Sequence, residues 1–124
     1  MNKKRINEIY QFMSNARMGR MTDEEKVTMI KTLRLLKPIA TSIQEAAQDA
    51  FSTAKAEYPD DQQKAVELVN KSMADVLNAE VDGIDLHVLT AEGFERLCLS
   101  NDWTFAQMDE LEAELVASKT NLPA

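Results

Sequence analysis

Residues 22–58 are TDEEKVTMIKTLRLLKPIATSIQEAAQDAFSTAKAEY, and their reading decides the fold. Met29, Leu33, Leu36, Ala40, Ile43, Ala47, Ala50 and Ala54 recur at spacings that alternate between four and three, the a/d rhythm that keeps one stripe of a helix facing a partner. The stretch opens on Thr22-Asp23-Glu24-Glu25, a capping box with an acidic first turn that suits the helix dipole. Pro38 sits inside the pattern. It removes a backbone donor and clashes with the carbonyl of Arg34, at about 3 kcal/mol in a helix interior. The seam keeps its phase from Leu36 through Ala40 to Ile43, which favours a kinked continuous helix over two helices joined by a turn. Before Pro38 the stripe is built of large side chains. After it the stripe is alanine, which buries little area by itself and needs larger knobs on a neighbour.

The chain downstream supplies those knobs. Tyr58-Pro59-Asp60-Asp61 predicts a turn, with Asp60-x-x-Gln63 as a second capping motif. A helix over about residues 61–78 then places Val66, Val69, Met73 and Val76 on one stripe, and the short connection makes the pair an antiparallel helical hairpin. From Val81 to Leu89 the period falls to two: Ile84, Leu86 and Val88 alternate with Asp85 and His87, which predicts a short strand with one dry face. A lone strand is unstable. Its available mates are the irregular Arg17–Met21 region or the same strand of a second molecule, and this is the structural argument for an oligomer.

Thr90 predicts the cap of a helix with Phe94, Leu97 and Cys98 inward, and Thr104-Phe105-Ala106-Gln107 a further capping box before Phe105, Met108, Leu111 and Leu115. At the other end, Ile6, Ile9, Tyr10 and Met13 form the apolar face of a short helix that docks on the long one, with Gly19 as a turn residue after it. The tail from Ser118 to Ala124 is expected to fray.

Composition is that of an ordinary folded protein, 44% hydrophobic and 28% charged, and 124 residues suffice for one core. The net charge of −7 conceals polarity. Residues 1–40 carry nine Lys/Arg against four Asp/Glu, whereas residues 41–124 carry five against seventeen. Such asymmetry steers association and partner choice. The single cysteine, Cys98, makes no intramolecular disulfide and fits a reducing compartment. Behind Lys3, Lys4 and Arg5, polar residues interrupt any signal-like apolar run, and no stretch approaches a membrane span, so the expected location is cytoplasmic.

The candidate chemistry is thin. Glu80, Asp82, Asp85 and His87 hold metal-ligand types, but alternation places Asp85 and His87 on the wet face of the strand, and no paired-ligand motif accompanies them. Cys98 and His87 are the types of a nucleophile and its base, yet Cys98 lies on an apolar stripe where a thiol is poorly ionised. The two helices around Asn101-Asp102-Trp103 have helix-turn-helix proportions. The second carries Asp109, Glu110, Glu112 and Glu114, which would repel phosphates, so no nucleic acid is expected at the C-terminal helices. No catalytic, cofactor or metal residue is expected, and no small molecule or membrane partner.

The segments Leu33-x-x-Leu36-Lys37-Pro38-Ile39-Ala40, then Glu80-Val81-Asp82-Gly83-Ile84-Asp85-Leu86-His87-Val88-Leu89, then Ala91-Glu92-Gly93-Phe94-Glu95-Arg96-Leu97 follow one another in a plan that resembles a family of small proteins of unknown function from tailed phages and prophages. The resemblance implies a phage or mobile-element origin and no particular activity.

These readings give a mainly α protein of one domain over residues 1–124. An N-terminal helix and turn fill 1–21, a helical hairpin with a long kinked helix fills 22–78, a short β element and two small helices fill 79–118, and 119–124 is tail. The expected function is that of a non-enzymatic interaction or assembly protein that self-associates. Ala40, Ile43, Ala47, Ala50, Ile84, Leu86 and Val88 are the candidate interaction residues. The alternative is an acidic regulatory binder or inhibitor of a basic partner, in the manner of an antitoxin.

Overall fold

The structure, a computed structural model, describes residues 1–116. The expected frayed tail lies outside the described residues. Among the described residues five helices follow one another: α1 (Lys3–Ser14), α2 (Asp23–Glu57), α3 (Gln62–Asn78), α4 (Ala91–Leu99) and α5 (Phe105–Leu115). None is long and apolar enough to cross a membrane.

Most of the helix starts are chemistry that the sequence spells out. The Asn2 side chain accepts from Arg5 N at the head of α1. Thr22 Oγ1 accepts from Glu25 N, and the Glu25 carboxylate accepts in return from Thr22 N, so α2 opens on a complete capping box. Asp61, one residue later than expected, caps α3 by accepting from Lys64 N. Thr90 caps α4, and Thr104 with Gln107 forms the reciprocal box of α5. Pro38 lies inside α2 on an exposed position, and the helix runs through it as a single element of 35 residues.

The described chain divides into two compact units, and both α1 and α2 cross from one to the other. The first comprises Met1–Tyr10 with Leu36–Asp82. Here Ile6, Ile9, Leu36, Ala40, Ile43, Ala54 and Val69 are buried. Lys3 N donates to the Ala79 carbonyl and Val81 N to the Met1 carbonyl, and Asn2 and Glu80 form one antiparallel bridge. The last turns of α2 and the first turns of α3 line a common groove.

The second unit comprises Gln11–Leu35 with the described residues from Gly83 onward. Its buried side chains include Met13, Met21, Met29, Leu86, Leu89, Phe94, Leu97, Leu111 and Leu115. Asn101 holds the loop before α2: its amide accepts from Arg17 N and donates to the carbonyls of Arg17 and Leu97. Arg20 N donates to Ser100 Oγ. Trp103 packs on Phe12 with ring centroids 5.0 Å apart, an aromatic pair inside this unit. Phe105, expected on the inner face of α5, is exposed instead, while Leu111 and Leu115 carry that face.

The expected strand is absent. Among the described residues there is no strand, only two isolated bridges, Asn2 with Glu80 and Leu89 with Val116. The physical reason is where the backbone groups of this segment go. Gly83 takes φ +79, a turn conformation. Asp85 Oδ1 accepts from His87 N as an Asx turn, and the Leu86 carbonyl accepts from Val88 N. Groups closed into local turns are not free to form a ladder. The burial period changes accordingly: Leu86 and Leu89, three apart, are inside, and Val88 is out. An oligomer argued from an unpaired strand loses that argument.

Candidate functional site

Of the sequence-predicted interaction residues, Ala40, Ile43 and Leu86 are buried by their own chain. Ala47, Ala50 and Ile84 are half-buried, and Val88 is exposed. Ala40, Ile43, Ala47 and Ala50 lie in the first unit, and Ile84, Leu86 and Val88 in the second.

The best-formed polar constellation was missed by the sequence reading. The Glu25 carboxylate, already part of the α2 capping box, receives two charge-assisted hydrogen bonds from Arg96 of α4, Nε to Oε1 at 2.8 Å and Nη2 to Oε2 at 2.6 Å. This is the two-point fork that a guanidinium makes with a carboxylate. The Arg96 hydrogen bonds, then those from Thr22, hold the Glu25 carboxyl down at about 2, against the opposing effect of burial. Arg96 is raised in turn, first by Glu25. Gly93 makes the approach possible, because a Cβ there would stand 2.6 Å from Glu25 Oε2 and 3.3 Å from Thr90 Oγ1. Its signal in the sequence was a glycine three residues after a cap, which has no partner until α2 and α4 are placed together. This clasp engages both Glu25 carboxylate oxygens with groups of the chain itself. It holds α2 to α4 and presents no free acid or base.

His87 touches two acceptors, Asp85 Oδ1 at Nδ1 and the Ala113 carbonyl at Nε2, both at 3.1 Å. Its backbone N–H, followed by its ring, lowers the Asp85 carboxyl. Cys98 is half-buried, and burial first, then the charges of Glu112 and Glu95, pushes its thiol up. A thiol so placed is a poor nucleophile, and His87 makes no recorded contact with it. Of the other metal-type residues read from this region, Glu80 pairs with the Met1 amine at 3.0 Å and Asp82 is exposed. Among the described residues no three His, Cys, Asp or Glu side chains converge on a point that suits a metal ion.

The groove in the first unit, about 560 Å³, is lined by Phe51, Ala54 and Tyr58 of α2 and its end, by Pro59, and by Ala65, Val66 and Val69 of α3. That volume is within the range of small-molecule sites. Its polar lining, Ser52, Lys55 and Gln62, is exposed, so no buried polar group is aimed into it to orient a ligand. Phe51, Tyr58 and Val66 stand exposed along it.

Compared with family models, with curated proteins and with solved structures, the chain finds no match.

Proposed function

We propose that this chain is a non-enzymatic interaction or assembly protein that self-associates in the cytoplasm, and that it is of phage or prophage type. The observation that carries the reading is the set of large apolar side chains left in solvent on well-formed helices: Val27, Ile30, Leu35, Phe51, Val66, Leu99 and Phe105. Scattered apolar exposure is normal, but Val27, Ile30 and Leu35 fall at helical spacing on one outward face of α2, and such a patch favours association. The engaged Glu25 carboxylate and the poorly ionised thiol support a binding role over a catalytic one. The phage or prophage origin rests on the segment resemblance alone. In this reading the C-terminal half of α2 and α3 act as a helical hairpin bent at Pro38, displaying the apolar groove at its turn.

A second reading, the acidic binder of a basic partner, is favoured by the exposed carboxylates of α4 and α5, Glu92, Glu95, Asp109 and Glu112. Light scattering on the purified chain separates the two. The first expects a dimer or larger species that grows with concentration; a monomer at high micromolar concentration overturns it and leaves the second.

A further inference from the structure

The second unit carries two exposed faces of opposite charge, each with large apolar side chains at its centre. On α2, directly opposite the buried Met29 and Leu36, run Val27, Ile30, Lys31, Arg34 and Leu35. Their spacing of i, i+3, i+4, i+7 and i+8 makes them one continuous stripe. The aliphatic members are 49%, 41% and 51% exposed. Between Glu25 and Glu45 the helix has no acidic residue, and neither Lys31 nor Arg34 has an ion-pair partner among the described residues. In a chain of net charge −7 this is a concentrated basic stripe.

The other face is the corner where α4 meets α5. Leu99 is 60% exposed and Phe105 78%, on either side of the Ser100–Thr104 turn. Glu95 lies one turn before Leu99 on the same side of α4. Asp109 and Glu112 follow Phe105 at i+4 and i+7 on α5, and all three carboxylates are exposed. Glu95 and Glu112 both act electrostatically on Cys98, so acids from the two helices share one neighbourhood.

We infer that the basic-aliphatic stripe of α2 in one copy docks on the acidic-apolar corner of α4 and α5 in a second copy. This rests on the self-association proposed above and names its surface. Complementary charge argues for a second copy as the occupant: Lys31 and Arg34 meet Glu95, Asp109 and Glu112, while Val27, Ile30 and Leu35 cover Leu99 and Phe105. The carboxylates steer and set the register, and the apolar side chains supply the area removed from water. Where each copy offers both faces, two such contacts close a two-fold dimer.

The test is charge exchange on the full chain, read by sedimentation. The variants K31E/R34E and D109K/E112K each place like charges across the contact, and each is expected to raise the dissociation constant at least about tenfold. Mixing the two restores association, because every contact in the mixed assembly is again between opposite charges. Raising salt from about 50 mM to about 500 mM weakens the wild type in the same sense. Circular dichroism checks folding, and the milder K31Q/R34Q and D109N/E112Q pair replaces any reversal that unfolds. Wild-type self-association that neither variant disturbs overturns this docking and leaves the proposed function standing. Two monomeric variants whose mixture stays monomeric also overturn it. A wild type that is monomeric throughout overturns both, including when its α2 stripe binds phosphatidylserine vesicles or duplex DNA instead.

Discussion

Glu25 does two jobs with one carboxylate, and the residues around it show how tightly that is arranged. It closes the capping box of α2 and accepts the Arg96 fork, while Gly93 leaves the space in which the carboxylate sits. A methyl group at position 93 meets the far end of a side chain that three hydrogen bonds hold in place, so it moves only if that clasp loosens. Alanine is ordinarily worth up to about 1 kcal/mol over glycine within a helix. Gly93→Ala is therefore expected to destabilise the wild type by about 1 kcal/mol and to become neutral or stabilising in an E25A background. Urea denaturation of the four proteins measures the cycle, and additive effects would mean that the carboxylate yields freely. The same clasp fixes a pH dependence. Because the Glu25 carboxyl is held down at about 2, its contribution is fully present above the ordinary value of 4.5 and is lost as pH falls from there toward 2. E25Q is expected to cost about 2 kcal/mol at neutral pH. The gap between wild type and E25Q closes over that acid window and stays constant from pH 5 to 8.

At the scale of elements, what the sequence made legible was local. Every cap joins residues three apart, so Thr22, Thr90 and Thr104 announced their helices, and only the α3 cap slipped by one residue, from Asp60 to Asp61. The Glu25–Arg96 pair spans 71 residues and gave no such sign, since spacing along a chain carries no distance between elements. The seam of α2 was legible as an inward stripe because its 3.6 period survives Pro38. Ala40 and Ile43 on that stripe are buried by the chain itself. Residues 81–89 misled for a different reason: alternation was weighed above Gly83 and the Asp85-x-His87 turn, which use the backbone locally. Pro38 now stands as a cost within a continuous, exposed helical turn. Alanine there restores the donor and removes the clash, so Pro38→Ala is expected to raise the unfolding free energy by about 1–3 kcal/mol. A lower melting temperature for P38A would overturn that assignment of cost.

For the whole molecule, the decisive feature is that two helices, α1 and the long α2, each belong to two units. The chain passes between the units at Tyr10–Gln11 within α1, at Leu35–Leu36 in the middle of α2, and at Asp82–Gly83 between helices, and the α2 junction has neither a loop nor a glycine. Unfolding either unit removes the packing from half of a helix whose other half is still held. Isolated helical segments of that length are marginal in water. The exposed half must then either fray, losing its hydrogen bonds progressively, or take the neighbouring turns with it. The proline close to the junction gives fraying a place to stop, and the run of seam residues Leu36, Ala40 and Ile43 opposes it, because the buried stripe resumes within one turn. The seam outweighs the proline here: three buried apolar side chains contribute several kcal/mol, against about 3 kcal/mol from Pro38. The two units are accordingly expected to unfold as one. The chain has its own reporters for this, since Tyr10 and Tyr58 are its two tyrosines and lie in the first unit, and Trp103 is its one tryptophan and lies in the second. Thermal unfolding followed by tyrosine absorbance and by tryptophan fluorescence excited at the red edge is expected to give one midpoint. Midpoints several degrees apart would mean that α2 breaks near Pro38 before either unit melts, and P38A would then draw the two transitions together.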